Sequence, residues 1–74
     1  MDKTELLKRF GKNVKIERIK KDLTQEQLSE KLDVSRTYLA SVECGNENMS
    51  LGKILELAQV LDINIEKLLK FSED

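Results

Sequence analysis

The stretch LTQEQLSEKLDVSRTYLASVECG, residues 23–45, decides the fold. Its first half begins with Thr24, followed three residues later by Gln27, and this pair has the pattern of a capping box, in which each side chain bonds the other residue's backbone N–H. Leu28 and Leu32 then recur at a spacing of four, which puts both on one face of a helix. The pattern predicts a short helix from Thr24 to Leu32.

The second half of this stretch predicts another short helix after a tight turn. Asp33 tolerates the left-handed backbone that such a turn needs, and Ser35 has the side chain of a helix N-cap. Leu39 and Val42 recur at a spacing of three, and Gly45 suits a left-handed C-terminal cap. The predicted helix therefore starts after Ser35 and ends before Gly45.

Apolar residues at helical spacing predict one helix before this pair and two after it. The expected starts and ends are Thr4 to Lys21 for the first, Ser50 to Leu61 for the fourth and Ile65 to Leu69 for the fifth. The predicted inward residues are Leu6, Leu7, Phe10, Val14, Arg18 and Ile19 in the first helix, Leu51, Ile54, Leu55, Ala58 and Leu61 in the fourth, and Ile65, Leu68 and Leu69 in the fifth. We expect an all-α fold: a compact five-helix, single domain over residues 1–74 that ends in a charged tail.

The composition excludes several classes of function. Among 74 residues there is no Pro, no His and one Cys, Cys44. A disulfide within the chain is impossible, and a structural zinc site or a Ser/His or Cys/His catalytic pair lacks its residues. With no Gly-rich phosphate loop either, we expect no enzyme, no metal and no cofactor.

Size and charge restrict the remaining choices. No apolar run reaches the about 18 residues of a membrane span, so we expect a cytoplasmic protein. A core this small calls for a partner, and a homodimer is the simplest one. The net charge is −1, but residues 1–21 hold eight basic and three acidic side chains, net +5. The positive charge is therefore concentrated in the first helix.

Two short helices joined by a tight turn, within a small helical domain, have the layout of a DNA-binding helix-turn-helix. Because Leu39 and Val42 face inward, the polar face of the third helix is left for DNA; its residues are Arg36, Thr37, Ala40 and Ser41. Arg36 can bond guanine O6 and N7 with two parallel N–H groups, and Thr37 offers a hydroxyl and a methyl group. A solvated helix face with an incidental Arg is the alternative.

Residues 23–45, with their Thr-Gln start, polar third helix and Glu-x-Gly end, resemble the Xre/Cro-type repressor family. The resemblance covers about residues 14 to 69, through Ser50-Leu51, Ile54, Leu57-Ala58, Leu61 and Leu68. Arg36-Thr37-Tyr38-Leu39 with Asn48-x-Ser50-Leu51 most resembles controller proteins of restriction-modification systems, with phage repressors and antitoxins close. This implies a homodimeric transcriptional regulator on a palindromic or pseudo-palindromic operator. An antitoxin or other protein-interaction module is the alternative.

The resemblance also implies roles for single residues. Arg36, Thr37 and Ser41, with Ala40 beside them, would read base edges in the major groove, and Arg18 and Glu43 would form a buried ion pair. Expected phosphate contacts are Thr24, Gln25, Tyr38, Asn46, Asn48 and, on the first helix, Lys15. Capping for Gln25, turn formation for the two Asn residues and packing for Tyr38 are the alternative interpretations.

The C-terminal segment, residues 57–71, is expected to form the dimer. More apolar residues lie there than one small core can hide: Leu57, Val60, Ile63, Ile65, Leu68, Leu69 and Phe71. Pairing across a two-fold axis would set two recognition helices ~34–36 Å apart on DNA. The alternative is that all seven belong to the domain's own core. We expect no small-molecule ligand, since no second domain is present to bind one.

Overall fold

The structure, a computed structural model, describes residues 1–71, and the predicted charged tail at residues 72–74 lies outside the described part. Four α-helices follow one another: α1 (Lys3–Lys20), α2 (Gln25–Leu32), α3 (Arg36–Glu43) and α4 (Leu51–Leu61). A single 3-10 turn, Ile65–Lys67, comes after them. Residues 1–71 contain no strand, which confirms the all-α class, and no helix among them is long and apolar enough to cross a membrane.

Every α-helix begins with a side chain that accepts a hydrogen bond from a backbone N–H three residues later. Thr24 and Gln27 form the complete capping box that was predicted, and Ser35 and Ser50 cap α3 and α4. Asp2 caps α1 in the same way. These caps satisfy N–H groups that a helix leaves unpaired at its start, so the helix starts follow from local sequence.

Each α-helix is followed, within two residues, by a residue with a left-handed backbone. Asp22, Asp33 and Asp62 have φ between 55° and 59°, and Gly45 has φ 78°. At Gly45 a tertiary contact also requires glycine, because a Cβ there would lie 2.8 Å from the Cα of Lys8. Asp tolerates this conformation better than most residues, because its short polar side chain is able to bond the nearby backbone.

α1 packs directly on the end of α3. A Cβ on Gly11 would overlap the carbonyl oxygen of Val42 and lie 2.7 Å from that of Glu43, so no larger residue fits this crossing. The buried core that this contact closes contains Phe10, Val14, Leu28, Leu32, Leu39, Val42, Ile54, Leu57, Ala58, Leu61 and Leu68. Since α1, α2, α3 and α4 all contribute, the short helices α2 and α3 are held in a fixed relation.

The fifth helix was predicted wrongly, because residues 65–67 form one 3-10 turn. The carbonyl oxygens of Leu68 and Lys70 accept hydrogen bonds from the Asn13 side-chain amide, at 3.0 Å each, rather than from a following helical turn. A side chain on α1 therefore takes the place of the helix that the periodicity predicted.

Several apolar side chains were also assigned to the wrong environment. Leu6, Ile19, Leu51 and Leu55 were predicted to face inward but are exposed, Leu51 to 74%. Conversely, two residues expected in the dimer contact, Leu57 and Leu68, are fully buried in the core and have no surface to offer a second copy. The buried face of α4 centres on Ile54, Leu57, Ala58 and Leu61, which puts Leu51 and Leu55 at its edge.

Candidate nucleic-acid interface

The N-terminal half of α3 presents a polar face. Leu39 and Val42 are fully buried, which leaves Arg36 and Thr37 exposed on the first turn and Ala40 and Ser41 half-buried beyond them. The predicted orientation of the helix is therefore present. Arg36 is the only cation in α3, so its guanidinium is the one group on this helix able to donate several N–H bonds in a planar fork.

A shallow surface depression brings the start of α2 next to the start of α3. It is lined by side chains from both helices, from α1 and from the turn between α1 and α2: Arg18, Thr24, Gln25, Glu26 and Arg36. Two residues predicted for different tasks, Gln25 for a phosphate and Arg36 for a base, thus share one surface. DNA binding by a helix-turn-helix requires this proximity, because the second helix of the pair lies in the major groove while the first lies against the phosphate backbone.

Arg18 and Glu43 form the buried pair that the resemblance implies. Arg18 Nε donates to Glu43 Oε2 at 2.7 Å and Nη2 donates to Oε1 at 3.1 Å, while the side chains are 11% and 3% exposed. The third guanidinium nitrogen, Nη1, donates to the carbonyl of Leu23 at 2.8 Å. The pair therefore joins α1, the turn before α2 and the last residue of α3.

Gln25 and Thr24 hold different positions at the start of α2. The Thr24 hydroxyl accepts from the backbone of Gln27 and so serves as the helix cap. The amide Nε2 of Gln25 donates instead to Glu43 Oε1 at 3.1 Å. Neither open interpretation of Gln25 foresaw this bond, since residues 25 and 43 belong to different helices and no local pattern relates them.

Tyr38 and the loop after α3 are linked by a hydrogen bond. The Tyr38 hydroxyl donates to the carbonyl of Asn48 at 3.0 Å, while the Asn46 and Asn48 residues are exposed. Partial burial raises the pKa of Tyr38 above its ordinary value of 10.0, Glu47 raises it further, and Lys53 opposes the shift. Tyr38 packs against the core and steadies the loop, so its hydroxyl is occupied within the domain.

Two lysines of α1, Lys8 and Lys15, are exposed. Lys8 lies against Gly45, directly after α3, and it was not among the predicted site residues. Lys15 is exposed two helical turns further along α1, on the stripe that also contains Gly11. No sequence pattern singled out Lys8, because its contact with Gly45 joins distant parts of the chain. The contact of Lys8 with Gly45 places this part of α1 beside the segment that follows α3.

Residues 14–68 match the family model HTH_3, described as helix-turn-helix. The match spans most of the chain and contains α2, the turn and α3. The chain therefore belongs to the Xre-type helix-turn-helix family of DNA-binding transcriptional regulators, which confirms the resemblance seen in the sequence.

Within that family, proteins named as controllers are among the similar ones. The control protein C.SmaI of Serratia marcescens is 39% identical over 69 residues, 93% of this chain and 79% of that protein. The control protein C.MunI of a Mycoplasma species is 36% identical over 61 residues, 81% of this chain and 82% of that protein. The crystal structure of the restriction-modification controller protein C.AhdI from Aeromonas hydrophila has 40% identity and a TM-score of 0.80, and the alignment covers 84% of this chain and 94% of that one.

Proposed function

We propose that two copies of this chain bind a palindromic or pseudo-palindromic operator, each placing α3 in the major groove. Arg36 and Thr37 read base edges, with Ala40 and Ser41 lying against the same groove. The observation that carries this proposal is the exposure of Arg36 and Thr37 on the first turn of α3, beside the depression that contains Gln25. A bidentate bond from Arg36 to guanine would contribute about 1–3 kcal/mol of discrimination.

Backbone phosphates are held on both sides of α3 in this proposal. Gln25 donates from the start of α2, where exposed N–H groups also favour an anion. Lys8 and Lys15 approach from α1, and Asn46 and Asn48 from the loop after α3. With a net charge of −1, affinity depends on these particular contacts and on dimerisation more than on bulk charge.

The dimer forms through an apolar surface that we define as Leu6, Leu51, Leu55 and Leu69, all of them exposed. Three of the four line one groove, together with Leu7, Met49 and Phe71. This surface differs in part from the predicted set: Leu69 belongs to both and Phe71 lines the groove beside it, whereas Leu57 and Leu68 are buried in the core and are left out of the proposal. Val60, Ile63 and Ile65 are half-buried and pack against the core, so they contribute only at the margin.

The genes under control are those of a restriction-modification operon, since similar proteins are named as control proteins of this kind. The regulator works in the cytoplasm, where its operator is, and needs no cofactor or small-molecule ligand. Its occupancy of the operator then follows the concentration of the protein through the dimer equilibrium.

Selection of bound sites from a random duplex library tests this proposal. We expect an enriched inverted repeat whose half-sites are about one helical turn apart. Arg36→Ala should lose the preference at one base pair per half-site, whereas Lys67→Ala, which removes an equal charge from the 3-10 turn, should keep it. Enrichment of no inverted repeat at low salt would refute the operator.

Sedimentation tests the dimer surface separately. Leu51→Asp puts a charge on the most exposed leucine of this surface and should yield a monomer that binds DNA weakly. Ile19→Asp is the matched control, since Ile19 is also exposed, to 53%. It lies near the C-terminal end of α1, whereas Leu6 of the apolar surface lies near the N-terminal end. A dimer that persists with Asp at residue 51, or that dissociates equally with Asp at residue 19, would contradict this choice of surface.

A further inference from the structure

Glu43 lies at the end of α3, away from the first turn that reads bases, yet its carboxylate reaches the start of α2. Oε2 accepts from Arg18 alone, whereas Oε1 accepts from both Arg18 and Gln25, each at 3.1 Å. The Glu43 side chain is 3% exposed, so water competes little for these bonds. One oxygen atom is thus shared between a structural ion pair and a residue of the interface.

A paired carboxylate determines how the Gln25 amide is oriented. The carboxylate paired with Arg18 accepts hydrogen bonds and donates none, so only the Nε2 end of the amide can turn toward it. Nε2 carries two N–H groups, and the planar amide fixes the direction of the second once the first is bound. Without Glu43 the amide could rotate end for end and the side chain would have several rotamers.

Arg18 makes this arrangement compatible with a nearby phosphate. An unpaired carboxylate beside Gln25 would repel a DNA backbone, but the guanidinium of Arg18 neutralises it at 2.7 Å. Both Arg18 and Gln25 line the depression shared with Arg36, whereas Glu43 is buried behind them. The negative charge therefore acts on the orientation of Gln25 while its field at the surface is compensated.

We propose that Glu43 is a positioning residue for DNA binding, which fixes the Gln25 amide so that its second N–H meets a backbone phosphate. This inference rests on the proposed function, because it supposes that Gln25 faces DNA. Ordering a glutamine before binding removes part of the entropy cost of ordering it at the interface. A phosphate bond carries no sequence information, so Glu43 affects the affinity for all duplexes alike.

A double-mutant cycle tests the coupling of Gln25 to Glu43. Affinity for a duplex of arbitrary sequence is measured at about 50 mM salt, where non-specific binding is strong. Gln25→Ala should weaken binding about fivefold per subunit in the native background, as expected for one net hydrogen bond. In a Glu43→Gln background the same change should weaken binding less than about twofold, since an amide at residue 43 can offer either an oxygen or an N–H and no longer imposes one orientation on Gln25.

A second background keeps the test independent of folding. Glu43→Gln leaves Arg18 buried without its partner, whereas Arg18→Met with Glu43→Met replaces the whole pair by apolar side chains, a change that proteins often tolerate. In each background, the affinity with Gln25→Ala is divided by the affinity without it. This ratio cancels any effect that the background itself has on binding. Gln59→Ala, on the exposed side of α4, should have no effect in either background.

The outcomes separate this inference from the proposed function. A Gln25→Ala effect of equal size in all backgrounds, or no effect in any, would overturn the positioning role while DNA binding itself stands. A native chain that binds no duplex would instead refute the proposed function, and the role of Glu43 with it.

In a ¹⁵N-labelled native chain, one Gln25 Nε2 proton should resonate downfield of those of Gln59 and lose that shift when the pair is replaced by Met.

Discussion

Arg18 and Asn13 lie close together on α1, yet they hold two different regions by different chemistry. Arg18 secures the helix-turn-helix region with a buried charge that bonds Glu43 and the carbonyl of Leu23. Asn13 secures the C-terminal segment with a neutral amide, whose Nδ2 donates to the carbonyls of Leu68 and Lys70. Both side chains therefore tie a distant, short segment of the chain to α1.

The two contacts differ in what their loss would do to the stability of the fold. Removing one partner of a buried ion pair leaves the other charge uncompensated, whereas removing an amide from two partly accessible carbonyls lets water take its place. We therefore expect the helix-turn-helix region to be held more firmly than the segment that carries part of the proposed dimer surface. This division would suit the proposed function, in which a reversibly formed dimer orients α3 on DNA.

The largest expected effect is at the charged contact. Arg18→Met should lower the free energy of unfolding by about 3–5 kcal/mol, because Glu43 stays buried without its counter-charge. Combining it with Glu43→Met should recover most of that loss. Denaturant unfolding measures both. If the double variant is as unstable as the single one, Arg18→Met destabilises the fold through lost packing and not through an uncompensated charge. The contrast drawn between Arg18 and Asn13 would then be wrong.

A smaller effect is expected at Asn13. Asn13→Asp removes both donors and places a carboxylate against two carbonyl oxygens, which should cost about 1–3 kcal/mol of unfolding free energy. Hydrogen exchange should become faster in residues 65–71 but not in α2 and α3, and sedimentation should show a weaker dimer because Leu69 and Phe71 are displaced.

Asn46→Asp is the matched control for this substitution. Asn46 is exposed in the loop after α3, so the same chemical change should alter the free energy of unfolding by less than about 0.5 kcal/mol. Equal losses of stability at residues 13 and 46 would mean that the added negative charge, rather than the bond to the C-terminal segment, causes the effect.

The smallest effect concerns Tyr38, whose hydroxyl joins α3 to the loop that leads to α4. Tyr38 is the sole tyrosine and there is no tryptophan, so absorbance reports its ionisation directly. Burial and Glu47 should place its pKa above 10.0 in the folded protein. Since the unfolded chain ionises first, stability is complete below pH 10.0 and decreases as the pH rises through the folded pKa.

Two charge variants check the causes of the Tyr38 shift. Glu47→Gln should lower the raised pKa only in part, because burial is the larger cause, and Lys53→Gln should raise it further. A midpoint at 10.0 in the native chain would show that the hydroxyl is solvated, and that the loop is not tied to α3 in the way its hydrogen bond indicates.

Predictions from sequence succeeded wherever the decisive interaction is local. The capping box at Thr24, the caps at Ser35 and Ser50 and the left-handed turn at Asp33 involve groups no more than a few residues apart. The outward face of α3 followed as well, because Leu39 and Val42 leave a single polar side. The resemblance supplied the pairing of Arg18 with Glu43, which spacing alone does not give.

Predictions failed where a side chain's surroundings come from distant parts of the chain. Leu55 and Leu57 lie on the same helix and are equally apolar, yet one is 47% exposed and the other fully buried, because α4 rests on the core at one angle only. The same limit applies to Leu68, whose burial requires the C-terminal segment to return to α1 at Asn13.

The sequence by itself determined the four α-helices, the caps of α2, α3 and α4 and which residues of α3 face outward, since hydrogen bonds within a few residues and one apolar stripe suffice for these. Only the tertiary structure decided that Gln25 bonds Glu43, that Asn13 holds the C-terminal segment, and which leucines stay on the surface. Those features depend on how helices approach one another, and the approach is set by close backbone contact at Gly11 and Gly45, whose partners cannot be found from spacing.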